Sequence, residues 1–135
     1  MIDRRITKEN LDAIYAETYD FEKFKAIDPC GLVYELMAHT DDQLDIELGA
    51  LFVAMITWGN RKAIRKAARH MLEEEMNWHP GLFVLSGKYE DSYADAKNGC
   101  VYRTLNSDNF KAVCRNIALA LSPLKPHPTV AKYLT

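Results

Sequence analysis

Leu44-Asp45-Ile46-Glu47-Leu48-Gly49-Ala50-Leu51-Phe52-Val53-Ala54-Met55-Ile56-Thr57-Trp58 runs directly into Gly59-Asn60-Arg61-Lys62-Ala63-Ile64-Arg65-Lys66-Ala67-Ala68-Arg69-His70. The first part is apolar on nearly every face at helical spacing, which predicts a helix over 44–58 enclosed by others. Asp41 and Asp42 just before it offer a cap and negative charge where a helix dipole favours it. Gly59 ends this helix, and Asn60 can cap the next one. A further helix is predicted over 61–76, with Ile64, Ala67, Ala68, Met71 and Leu72 as its buried face.

The flanks read the same way. Thr7 is a good N-cap, and Leu11, Ile14, Tyr15 and Thr18 follow at helical spacing, so a helix is predicted over 8–18. Asp28-Pro29 starts another short helix, because proline suits a first turn whose N–H has no partner anyway. Leu32, Val33, Leu36 and Met37 form its apolar stripe. His79-Pro80-Gly81 breaks the chain, and a short helix through Leu82, Phe83 and Leu85 follows. Residues 87–107 read as irregular. Ser107 or Asp108 caps a last long helix carrying Phe110, Val113, Cys114, Ile117, Ala118 and Leu121. No segment alternates as a strand, and the long helices carry no heptads. The expected fold is therefore all-α, an irregular orthogonal helical bundle. Residues 1–122 form a single helical domain, and Pro123, Pro126 and Pro128 make 123–135 a Pro-rich tail.

The chain has 135 residues, 48% hydrophobic and 27% charged, which suits one globular domain with its own core. Lys plus Arg number 17 and Asp plus Glu 19, a net charge of −2 that excludes a wholly basic nucleic-acid protein but not a local basic patch. The longest uncharged apolar run, Leu48 to Trp58, is 11 residues. A membrane span needs about 20. No secretory signal follows the first charges. The 3 cysteines, Cys30, Cys100 and Cys114, form no Cys-x-x-Cys pair. A cytoplasmic location with the thiols buried as small hydrophobes is expected.

The chemistry-bearing candidate lies at the junction of the quoted stretches. Five of the 17 basic residues, Arg61, Lys62, Arg65, Lys66 and Arg69, fall within nine positions. Arg61, Arg65 and Arg69 are four apart and share one face. The apolar stripe lies opposite, so the cations are expected to point outward together. Helix N-termini also attract phosphate through their free N–H groups. One reading is an anion-binding edge for nucleic-acid backbone, made by Gly59, Asn60, Arg61, Lys62, Arg65, Lys66 and Arg69. The other is a solvated helix face, neutralised by pairs such as Arg69 with Glu73, which is what charge runs ordinarily are. Against it, bases at a helix start and acids (Glu73, Glu74, Glu75) after them oppose the dipole.

Asp28-Pro29, Asp45-x-Glu47, the apolar helix closing in Trp58-Gly59-Asn60-Arg61-Lys62, and Tyr102-Arg103-Thr104-Leu105-Asn106 together resemble an uncharacterised bacterial family, the domain of unknown function numbered twenty-four hundred. The resemblance runs over roughly residues 20 to 121 and covers the family's N-terminal half. That family is in turn similar to the helix-hairpin-helix (HhH-GPD) DNA glycosylases. There, an apolar helix ends in a polar turn that meets DNA near the flipped base, where a side chain fills the vacated stack. The resemblance implies that Asn60 faces DNA and that Arg61 and Lys62 lie close to phosphate. It also implies a second half bearing a Pro-Leu-Asp-Thr-His-like motif with the catalytic acid. This chain ends at Thr135 without such a motif, so no catalytic residue carries over. No catalysis is expected from the chain alone. Either it is a short gene product or the remaining half lies outside it.

The other constellations are weaker. Asp41, Asp42, Asp45 and Glu47 could hold a hard metal, but helix capping and surface charge account for them. His39, His70, His79 and His127 lack metal-ligand spacing. No serine sits in a nucleophile elbow, Cys30 reads as a buried thiol rather than a nucleophile, and no phosphate-binding glycine loop is present. Neither metal nor cofactor is expected. Trp78, Phe83, Tyr89 and Tyr93 could stack on single strands or simply pack. The alternative to DNA binding is a non-enzymatic protein-interaction or dimerisation domain. A lone half of a bundle should expose apolar surface that a partner or second copy covers.

Overall fold

The computed structural model describes residues 6–95, 99–124, 129 and 134. Those residues are mostly helical: α1 (Lys8–Thr18), α2 (Phe21–Ile27), α3 (Gly31–His39), α4 (Gln43–Met55), α5 (Arg61–Arg69), α6 (Pro80–Leu85) and α7 (Ser107–Leu121). The remainder of the tail from 125 on lies largely outside the described residues. Pro123 does stand in a short 3-10 turn after α7, as a helix-breaking residue should.

The caps explain most starts. Thr7, Asp42 and Asn60 each accept a backbone N–H three residues on, from Asn10, Asp45 and Ala63. For α7 the cap is Asn106, which accepts from Asn109 N at 2.8 Å, and not Ser107 or Asp108. α2 was not foreseen; it is a seven-residue helix capped by Asp20, too short to declare its period.

α4 is shorter than expected. It stops at Met55, and the chain through Thr57 and Trp58 leaves the helix before Gly59. Nor is it enclosed. Leu48 and Phe52 are fully buried against α3, α6 and α7, but Leu51 is 41% exposed. Neighbours cover only part of its circumference, so an apolar groove of about 520 Å³ stays open between α3 and α4, beside Val33, Met37, Ala50 and Val53.

The core gathers Leu32 and Leu36 of α3, Leu48 and Phe52 of α4, Ile64 and Ala68 of α5, Phe83 and Val84 of α6, and Phe110 of α7. Burying each of the larger of these side chains is worth about 2 kcal/mol. Phe110 is the hub, with its ring 5.4 Å from Phe52, 5.6 Å from Tyr93 and 6.3 Å from Phe83. α1 contributes nothing to this core: none of its residues is buried.

Two expectations about 61–107 need correction. The helix from Arg61 is α-helical only to Arg69 and then widens into a π-helical turn over His70–Glu75. Residues 87–107 also contain a small antiparallel hairpin, β1 (Cys100–Tyr102) with β2 (Leu105–Asn106). Strands of three and two residues are too brief to show alternation. Among the described residues no helix is long and apolar enough to cross a membrane. The cysteines are free, but only Cys114 is buried; Cys30 is intermediate and Cys100 exposed, in contrast to the buried set expected.

Candidate nucleic-acid interface

Five residues join α4 to α5; Ile56 is buried and the other four lie at the surface. Trp58 N donates to Ile56 O at 2.8 Å, which tightens the exit from α4. Gly59 then takes φ +101°, a conformation that side chains oppose. Asn60 spends its side-chain oxygen on Ala63 N and so anchors α5 rather than standing free.

The hairpin clamps this turn from outside. The Tyr102 hydroxyl donates to the Trp58 carbonyl at 3.0 Å, and the two rings meet edge to face at 5.6 Å. Arg103, at the hairpin tip, has the left-handed φ of 50°. That conformation is uncommon for a side chain of its size. Its guanidinium carbon stands 5.2 Å from the Trp58 ring centre and 5.7 Å from that of Tyr102. A Cβ on Gly59 would come within 2.6 Å of that carbon, so the glycine also makes room for it.

The expected row of five outward cations divides in two. Arg65 turns to its own chain, where it donates to the Lys25 carbonyl at 3.2 Å and to the Asp28 carbonyl. Arg69 forms a two-pronged pair with Glu35 of α3, at 2.7 and 2.6 Å, and reaches Glu73 at 3.6 Å. That hydrogen bonding holds the Glu35 carboxyl below the usual carboxylate range and raises the Arg69 guanidinium in turn. Both arginines are clasps between α5 and the α2–α3 region. The physical reason is the helix's own rotation: packing Ile64 and Ala68 inward swings 65 and 69 toward α2 and α3, where acceptors wait.

Arg61, Lys62 and Lys66 remain exposed, and their side chains have no hydrogen bond or ion pair among the described residues. The guanidinium of Arg103 likewise has only its ring contacts. Beside Lys66, a cleft of about 460 Å³ opens between α5 and the hairpin, walled by Ala63, His70, Tyr93, Val101 and Tyr102. Arg103 was not among the site residues expected from sequence, and Trp58 entered only as the residue that closes the apolar run before the Gly59 turn, with no role of its own. The motif Tyr102-Arg103-Thr104-Leu105-Asn106 was visible, but without the hairpin nothing brought it to the Gly59 turn. The aromatic residues considered for stacking pack instead: Trp78, Phe83, Tyr89 and Tyr93 are all buried.

The acidic cluster is structural. Asp42 caps α4, and Asp45 is buried at 4% exposure. One Asp45 oxygen accepts Gly81 N at 2.7 Å; the other accepts Thr40 Oγ1 at 2.9 Å and pairs with His79 Nδ1 at 3.1 Å. This ties α4 to the start of α6 beside a cavity of about 550 Å³. Among the described residues, no group of three or more His, Cys, Asp or Glu is placed to hold a metal ion.

A family model described as "Protein of unknown function (DUF2400)" matches residues 28–125. No curated protein matches the chain, and no solved structure does.

Proposed function

The chain belongs to the DUF2400 family, and from that premise we propose that it is a DNA-binding helical domain whose contact edge is the Gly59–Asn60 turn, the start of α5 and the hairpin tip. The observation that carries the reading is the set of four cations, Arg61, Lys62, Lys66 and Arg103, left without a charged partner among the described residues, the last of them over the exposed Trp58 ring. Charged side chains that only solubilise a surface are ordinarily interspersed with the opposite sign. Of the acidic residues that follow in the π-helical turn, Glu73 is spent on Arg69 and Glu75 on His70 and on Tyr93 N, while Glu74 is exposed.

The sequence resemblance to the HhH-GPD glycosylases supports the same placement, with an apolar helix, a polar turn and a helix that presents cations to phosphate. No carboxylate or lysine takes a catalytic role in the reading; the domain holds DNA and does not itself act on it. Arg65 and Arg69 are removed from the contact set, because their donors are already engaged.

The test must spare the clasps. Arg61→Glu, Lys62→Glu and Lys66→Glu together should abolish binding to a labelled duplex while the circular-dichroism spectrum and thermal midpoint stay unchanged. Undiminished affinity in that folded variant overturns the reading. An interaction-domain role has one specific observation in its favour. Leu11, Ile14 and Tyr15 of α1 and Phe21, Phe24 and Ile27 of α2 are all exposed, more apolar surface than a lone helix pair usually shows to water.

A further inference from the structure

We infer that Trp58 and Arg103 form a stacking site for an unpaired nucleotide, so that the edge prefers single-stranded to duplex DNA. The inference rests on the DNA reading above and adds to it the form of nucleic acid bound.

Three independent features converge on this pair. Trp58 is 41% exposed, while the chain's other tryptophan, Trp78, is 8% exposed and stacked on His39 at 4.3 Å. Leaving a large indole in water forgoes burial that the fold obtains elsewhere. Arg103 takes a left-handed backbone at the hairpin tip, and such local strain collects where function requires a side chain in one place. Gly59 is the one residue type that both accepts φ +101° and leaves room for the guanidinium. Tyr102 then locks the arrangement, its hydroxyl on the Trp58 carbonyl and its ring against the indole.

The result is an indole held at a fixed position and a guanidinium whose donors meet no acceptor among the described residues. The guanidinium stands over the indole, so a base takes the part of the ring that stays exposed, as any base can because every base has a π-face, and the arginine fork takes a phosphate of the same strand. Lys62, Arg61 and Lys66 continue the positive track for the neighbouring phosphates. A duplex keeps its base faces covered by their own neighbours, so only an unpaired base can reach Trp58.

The experiment uses the full chain with an oligodeoxythymidylate of about 12 nucleotides and a duplex of the same length. The wild type should bind the single strand more tightly, with quenching of tryptophan fluorescence. Trp58→Leu should weaken single-strand binding about tenfold or more and remove the quenching, a far larger loss than the same variant shows for the duplex. Trp58→Phe should recover part of the loss. Arg103→Lys keeps the charge but not the fork, and should lose affinity for the single strand with an unchanged salt slope. Equal binding of both DNA forms, or Trp58→Leu without effect on a folded protein, overturns the stacking site while leaving the DNA reading intact. Salt-insensitive or absent binding of both DNA forms overturns the two together.

Discussion

Asp45 shows how much a single carboxylate does in this molecule. It is buried, yet it receives Gly81 N, Thr40 Oγ1 and His79 Nδ1 within 3.1 Å. A charge is tolerated at such a depth only when donors surround it. Asp45→Ala should therefore cost about 3 kcal/mol, since it strands a buried N–H and uncaps α6. Chemical denaturation of the two proteins reads this directly, and a change below about 0.5 kcal/mol would mean that water replaces the carboxylate without loss. From sequence, Asp45 belonged to a loose acidic cluster next to a helix start. The capping role of its neighbour Asp42 followed from that position. The bond between Asp45 and Gly81 did not, because it spans 36 positions in the chain.

At the scale of elements, α5 does three jobs. Ile64 and Ala68 enter the core; Arg65 and Arg69 strap the helix to α2 and α3; Arg61, Lys62 and Lys66 face outward. The amphipathic period and the Asn60 cap were legible because both are local. The fate of the arginines was not, because Glu35 and the carbonyls of Lys25 and Asp28 lie 34 to 40 positions away. The hairpin escaped because its strands are too short to alternate, and its contact with the turn escaped because Tyr102 meets Trp58 across 44 positions. The Arg69–Glu35 strap makes a pH prediction. Arg69 lowers the Glu35 pKa in the folded state below its ordinary 4.5, so the strap's contribution is complete above that value and disappears as pH falls through the lowered one. Both side chains keep about a third or more of their surface in water, so the contribution is at most about 1 kcal/mol. Glu35→Gln should be the less stable protein at neutral pH, and the gap should close on acidification from about pH 4.5 downward. A gap that stays constant with pH in parallel thermal melts would contradict the strap.

For the molecule as a whole, stability grades from one region to the next. α7, α6 and α4 meet around Phe110, whereas α1 buries no residue. The thiols sample this gradient. Cys100 is exposed at the hairpin. Cys30 is half-buried, its pKa raised by loss of solvent and then by Asp28. Cys114 is buried in α7 with its pKa pushed up to about 12 by that burial. A thiol reagent at neutral pH should label Cys100 first, Cys30 more slowly, and Cys114 only as the whole chain unfolds. Labelling of Cys114 as fast as Cys30 would place α7 outside the cooperative core.

The molecule also divides by surface chemistry, with exposed apolar side chains on α1 and α2 and, at the α4–α5 turn and hairpin, cations that have no charged partner among the described residues. The net charge of −2 hides this separation, and only the placement of Arg103 beside Trp58 completes the basic edge. The most direct measurement of that edge is the affinity for a labelled duplex over a range of salt concentrations. With four cations on phosphates, log affinity should fall against log salt with a slope of about −3 to −4. A slope indistinguishable from zero would mean that these cations meet only water.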